Sequence, residues 1–81
     1  MKLTVKLFAV ARQRIGKSAI EVELPEAVTI ANVRSAIVEQ FPPLADIMRH
    51  ARIAVDSEYA ADATFVGIQS ELAIIPPVSG G

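Results

Sequence analysis

The residues best suited to chemistry stand at the end of the chain, where Ile74 to Gly81 reads IIPPVSGG. Two terminal glycines arise by chance in roughly one chain in 200, because glycine supplies about 7% of average sequence. Glycine suits a backbone that must pass close to other atoms, and equally a tail that does nothing. Pro76 and Pro77 weigh against the second reading. Proline lacks an N–H and holds φ near about −65°, so the pair ends the preceding apolar strand and projects the tail outward. An α-carboxylate has a reference pKa of about 3.3 to 3.7 and is a poor electrophile near neutrality, so acyl chemistry at Gly81 requires activation. The sequence has neither a Walker A loop nor a G-x-G-x-x-G motif, so activation must come from another protein whose narrow site admits the tail, Pro76, Pro77, Val78, Ser79 and Gly80. Ser79, Gly80 and Gly81 are slender enough to thread, and the prolines hold the body at a fixed distance. Such a chain is a substrate and carrier and not itself an enzyme.

Other sources of chemistry are thin. His50 is the only histidine and there is no cysteine, which leaves no Cys/His pair and no metal-ligand cluster. No serine sits in a G-x-S-x-G elbow. Asp56, Glu58 and Asp62 lack the remaining positions of a calcium loop and read as a solvated turn. No bound metal or cofactor is expected.

With 81 residues the chain forms one small domain, residues 1–75, followed by an extended tail, 76–81. Without disulfides its stability must come from apolar packing, and 52% of its residues are hydrophobic, with a mean hydropathy of +0.41. That is rich for a small domain, so part of the apolar surface is expected to await a partner. A net charge of −1 gives no polycationic attraction for nucleic acid. The N-terminal segment alternates instead of forming a signal-peptide core, and no run approaches the roughly 20 apolar residues that span a bilayer. A soluble, cytoplasmic protein is expected, with no membrane partner.

Positioning the tail falls to the elements before it. Leu3, Val5 and Leu7 alternate with Lys2, Thr4 and Lys6, the signature of a half-buried strand. Ala9, Arg12 and Arg14 fit a short helical turn, and Gly16 suits a positive φ. Ile20, Val22 and Leu24 point inward from a second strand, antiparallel to the first. Ile30, Val33, Ile37 and Phe41 then follow helical spacing, with Arg34 and Glu39 off the stripe. Thr29 is a candidate N-cap, without a reciprocal capping box because Asn32 stands where Glu or Gln is usual. Pro42 and Pro43 stop the helix. LADIMRHA adds one short turn, RIAVD a brief strand, and Phe65–Val66 a short edge strand. Leu72 to Ile75 is apolar on both faces, as at the centre of a sheet. The order β-β-α-β-β-β is a two-layer α+β domain, a mixed sheet with one main helix on one face. If the first and last strands form the central pair they run parallel, and the tail leaves from the end of a rigid sheet.

KLFAVARQRIG, IAVDSEYA and IIPPVSGG, in this order and over this length, resemble the small, sulfur-carrying subunits of molybdopterin synthase, and PPVSGG is the most specific part. The resemblance implies a ubiquitin-like β-grasp fold. It further implies that Gly81 is adenylated by an ATP-using partner of the ubiquitin-activating type and then becomes a thiocarboxylate. The tail, inserted into the large synthase subunit, would donate sulfur to precursor Z, cyclic pyranopterin monophosphate, to give molybdopterin. A heterotetramer of two small and two large subunits is implied as well. Phe8, Ala9, Arg12 and Gly16 match the family's first-strand and turn pattern, with Arg12 a docking candidate and Phe8 open between docking and core. Phe8, Phe65 and Ile75 would supply an apolar docking surface. Asp56 departs from a usual asparagine, and Gly67 to Glu71 from a usual Gly-Asp-Glu turn. Three alternatives stand beside this reading: a related carrier serving thiamine or another sulfur pathway, a ubiquitin-like modifier joined through Gly81 to lysines, and an interaction domain with an inert tail.

Overall fold

The alternating apolar residues of the first strand lie inward, and the last strand pairs beside it. The structure, a computed structural model, describes residues 1–67 and 70–77. Strand β1, Lys2–Leu7, alternates strictly between exposed and buried positions. Its antiparallel neighbour β2, Ala19–Glu23, pairs Val5 with Ile20 and Leu3 with Val22. Between them lies helix α1, Ala9–Ile15, a full helix of 7 residues where the sequence suggests a single turn. Gly16 ends it at φ 80°, its N–H donating to the Arg12 carbonyl at 2.8 Å, the left-handed C-terminal cap that glycine adopts without a Cβ penalty.

Helix α2, Ile30–Gln40, presents Ile30, Val33 and Ile37 to the core, all fully buried. Its start corrects the sequence expectation, because a reciprocal capping box is present. The Asn32 N–H donates to Thr29 Oγ1 at 3.4 Å, and Asn32 Oδ1 accepts the Thr29 N–H at 2.9 Å. The asparagine carbonyl oxygen has the same acceptor chemistry as the usual glutamate and is close enough to use it. Arg34 also departs from a purely solvated role. Its guanidinium donates to the carbonyls of Met48 and Ala51, each at 2.8 Å, tying α2 to the short helix α3, Ala45–Met48. A 3₁₀ turn, Pro42–Leu44, joins these helices after the expected stop.

Beyond α3 come β4, Arg52–Val55, and β5, Glu58–Tyr59, joined by Asp56 and Ser57 at φ 50° and 71°. Two consecutive positive φ values in a two-residue hairpin match the type I′ geometry that follows strand twist. Strand β7, Leu72–Ile75, runs parallel to β1 and antiparallel to β4, giving the order β2-β1-β7-β4-β5. A separate ladder joins β3, Val28–Thr29, to β6, Phe65–Val66. Two-residue β3 has no periodicity to announce it. The helices lie on one face of the five-stranded sheet, where Leu3, Val5, Leu7, Ile53, Leu72 and Ile74 meet the buried stripe of α2.

Candidate functional site

The root of the tail is held within the sheet on both sides. β7 is hydrogen-bonded on both sides, Leu7 opposing Ile74 and Arg52 opposing Ile75, and both Leu72 and Ile74 are fully buried. Pro76 is still buried and Pro77 is exposed, so the chain reaches solvent at the second proline. The start of β7 is fastened too. The Asp56 N–H donates to the Glu71 carbonyl at 2.8 Å, and Asp56 Oδ1 accepts the Glu71 N–H at 2.9 Å. The Lys6 ammonium stands 3.0 Å from the Glu71 carboxylate. An asparagine at position 56 offers the same acceptor and tolerates the same positive φ, so aspartate there keeps the geometry. Gly67 and Ser70 close on each other, the Ser70 N–H donating to the Gly67 carbonyl and the Gly67 N–H to Ser70 Oγ, both at 3.1 Å. Val78, Ser79, Gly80 and Gly81, expected to thread and react, lie outside the described residues.

Beside this root the face of the sheet away from the helices carries a shallow groove of about 280 Å³. Register explains its shape. Lys6, Ala73, Ala54 and Tyr59 form one row across β1, β7, β4 and β5, and Arg52 and Ile75 form part of the next. The two alanines make a low floor, with Phe8, Tyr59 and Ile75 among its walls. Phe8 is 46% exposed and Tyr59 61%, which resolves Phe8 as surface and not core. The Arg52 guanidinium lies 4.9 Å from the Tyr59 ring centroid, within cation–π range.

The structure therefore brings Phe8 and Ile75 together and puts Phe65 elsewhere. Phe65, 70% exposed, is in the β3–β6 ladder and does not line this groove. Arg12 is exposed on α1, outside the groove. Sequence reasoning missed Tyr59, Ala54 and Ala73. Tyr59 was findable, being an aromatic residue just past a two-residue turn that returns it beside Ala54. A larger depression of about 660 Å³ between α2 and α3 shares no lining residue with this groove.

Titration is perturbed at Asp46, where the hydrogen bond from Arg14 at 2.9 Å holds the carboxyl below its ordinary value. His50 is exposed. Among the described residues no three His, Asp or Glu side chains gather as a metal site requires. Nor, among them, is any helix long and apolar enough to cross a membrane.

The sequence profile of the ThiS family matches residues 5–81, from the first strand through the terminal glycine. The chain belongs to the ThiS family. Within that family it is 35% identical over 81 residues to the molybdopterin synthase sulfur carrier subunit of Arabidopsis thaliana, covering 100% of this chain and 84% of that protein. Among solved structures it is similar to SAMP1, small archaeal modifier protein 1, of Haloferax volcanii, with a TM-score of 0.85 at 27% identity and full coverage of both chains. It is also similar to the putative molybdopterin converting factor subunit 1 of Pyrococcus furiosus, with a TM-score of 0.81 at 26% identity, covering 96% of this chain and 99% of that one. The ThiS-family fold is thus the ubiquitin-like β-grasp, a mixed sheet with its helices on one face.

Proposed function

We propose that this ThiS-family chain is the sulfur-carrier subunit of molybdopterin synthase in molybdenum cofactor biosynthesis. The observation that carries the reading is full-length similarity to molybdopterin synthase sulfur carrier subunits, together with a family match that runs through the Gly80–Gly81 terminus. Physical chemistry agrees. A chain with no cysteine stores transferable sulfur at its own carboxylate, provided that carboxylate is activated in trans. A Gly81 oxygen attacks the α-phosphorus of ATP in an adenylyltransferase, pyrophosphate leaves, and a sulfur donor displaces AMP, so that one sulfur replaces one oxygen. The large synthase subunit then covers the groove formed by Phe8, Tyr59 and Ile75 and takes the tail, and sulfur passes to precursor Z. The carrier contributes position and cargo, and the partners contribute catalysis.

Deleting Gly81 is the direct test. Sulfur transfer to precursor Z in a reconstituted synthase should vanish while circular dichroism and melting stay those of the wild type; transfer at the wild-type rate would refute the carrier role. Similarity to a small archaeal modifier protein favours a second reading, attachment of Gly81 to target lysines. Branched peptides carrying Ser79, Gly80 and Gly81 on lysine, recovered from cells, would support it.

A further inference from the structure

Strand β2 is an edge of the five-stranded sheet, with β1 as its one neighbour. The Ser18 carbonyl accepts the Leu7 N–H at 2.9 Å, and the Leu24 N–H donates to the Met1 carbonyl at 2.8 Å, so residues 18 and 24 aim backbone groups at β1. That aim alternates along an antiparallel ladder, which leaves the N–H and carbonyl of Ala19, Glu21 and Glu23 pointing out of the sheet. Gln40, the last residue of α2, takes both groups of Glu23: its Nε2 donates to the Glu23 carbonyl at 2.8 Å, and its Oε1 accepts the Glu23 N–H at 3.0 Å. The outward groups of Ala19 and Glu21 have no such partner among the described residues. At the other end of this open stretch the chain turns away at Gly16, φ 80°. The unpaired edge is therefore short and bounded, by Gln40 past Glu21 and by the Gly16 turn before Lys17. A shallow groove of about 310 Å³ lies along it, lined by Lys17, Ala19, Glu21 and Phe41 among others. Open edges of this kind template pairing with another strand.

We propose that this edge pairs with the same edge of a second copy of the chain, antiparallel about a two-fold axis at Ala19. The proposal does not depend on the carrier reading. In a two-fold interface every contact between two different residues occurs twice, so the edge must be complementary to itself. Its bounds are. With Ala19 opposite Ala19, the Gly16 turn of each copy falls opposite Val22 of the other, so each chain turns away before it reaches the position that Gln40 fills. Charge selects the same register. Lys17 and Glu21 stand two residues either side of Ala19, both exposed, on the face that the alternation of β2 gives to solvent. Neither makes an ion pair among the described residues, and in this register each meets its opposite on the other copy. An axis at Ile20 would instead set Lys17 against Glu23, whose backbone is held by Gln40 and whose carboxylate stands 3.8 Å from Lys2. An axis at Glu21 would set two carboxylates directly opposite each other, which is destabilising. The groove beside β7 shares no lining residue with this edge, and β1 lies between them.

Sedimentation equilibrium of the full-length protein at low ionic strength, from micromolar to millimolar concentration, tests the proposal. Wild type should show a monomer–dimer equilibrium. Lys17→Glu alone and Glu21→Lys alone should each weaken it about 5-fold or more, because each sets like charges opposite at two symmetric positions. An equimolar mixture of those two variants should restore dimers, since each copy then meets the opposite charge at both positions. Ala19→Pro removes an outward N–H without touching the ladder to β1 and should abolish dimers while circular dichroism stays that of the wild type. In hydrogen exchange followed by NMR, the Ala19 and Glu21 amides should gain protection as concentration rises, and the Glu23 amide, already bonded to Gln40, should not. Wild type that stays monomeric at millimolar concentration overturns the proposal. So does a dimer that the mixed variants fail to restore, or one dissolved by Tyr59→Asp and not by the edge substitutions. Protection of the two amides that appears only when a large synthase subunit is added assigns the edge to that partner and equally overturns it. None of these results alters the Gly81 test of the carrier reading.

Discussion

Ser57 adopts φ 71° with a Cβ that prefers the opposite side of the Ramachandran map. Left-handed conformations cost ordinary L-residues about 1 to 2 kcal/mol, and the hairpin tolerates the cost because type I′ geometry aligns β4 with β5. Ser57→Gly should therefore raise unfolding free energy by about 1 kcal/mol in urea denaturation, less the extra entropy that glycine brings to the unfolded chain. Asp46 gives a pH-dependent prediction. Its folded pKa lies below the ordinary 3.8 because Arg14 stabilises the carboxylate. Its contribution is present above the unfolded value and is lost as pH falls through the lower folded one. Wild type should thus exceed Asp46→Asn in melting temperature near neutrality by a small margin that closes in acid; a margin growing toward low pH would contradict the Arg14 pairing. Both side chains are largely exposed, so the margin is limited by solvent screening.

At the scale of elements, the groove beside β7 is the surface on which the proposed docking is tested. Its alanine floor and aromatic walls give a partner's apolar side chain a place to be desolvated, the arrangement in which a few aromatic residues dominate binding energy. Tyr59→Asp should weaken binding to the large subunit by about 2 kcal/mol or more, measured by calorimetry, with the monomer still folded because the side chain is exposed. Phe65→Asp, on a different ladder, should leave that affinity unchanged. Much of this architecture was legible in the chain: strict alternation in β1, the Ile30–Val33–Ile37 stripe of α2 and the doubly apolar β7 each carry their own period. β3 and β5 were not legible, since two residues carry no period and their pairing is decided by tertiary contacts. The capping box escaped notice because Asn32 was judged by residue type and not by its acceptor oxygen. Of the tail, only its root at Pro76 and Pro77 falls among the described residues; the groove beside it depends on cross-strand register, which brings together Phe8, Ala54, Tyr59 and Ala73 from distant sequence positions.

At the scale of the whole molecule, the proposed reactive end grows from a buried, doubly paired strand. Leu72 and Ile74, fully buried in the central strand, fix the direction in which the chain leaves the sheet, and buried Pro76 extends that constraint one residue further. Truncating Leu72 to alanine should cost about 2 to 5 kcal/mol of stability, loosening the root together with the core. On this account the domain exists to present Gly81 to successive partners, and the state of that one carboxyl is the central claim. The measurement that tests it most directly is the intact mass of the protein isolated from cells with an active sulfur-transfer system, with fragmentation to locate any change. The account predicts one oxygen replaced by sulfur, confined to Gly81. A terminus that stays unmodified while the adenylyltransferase and sulfur donor are demonstrably competent would contradict it.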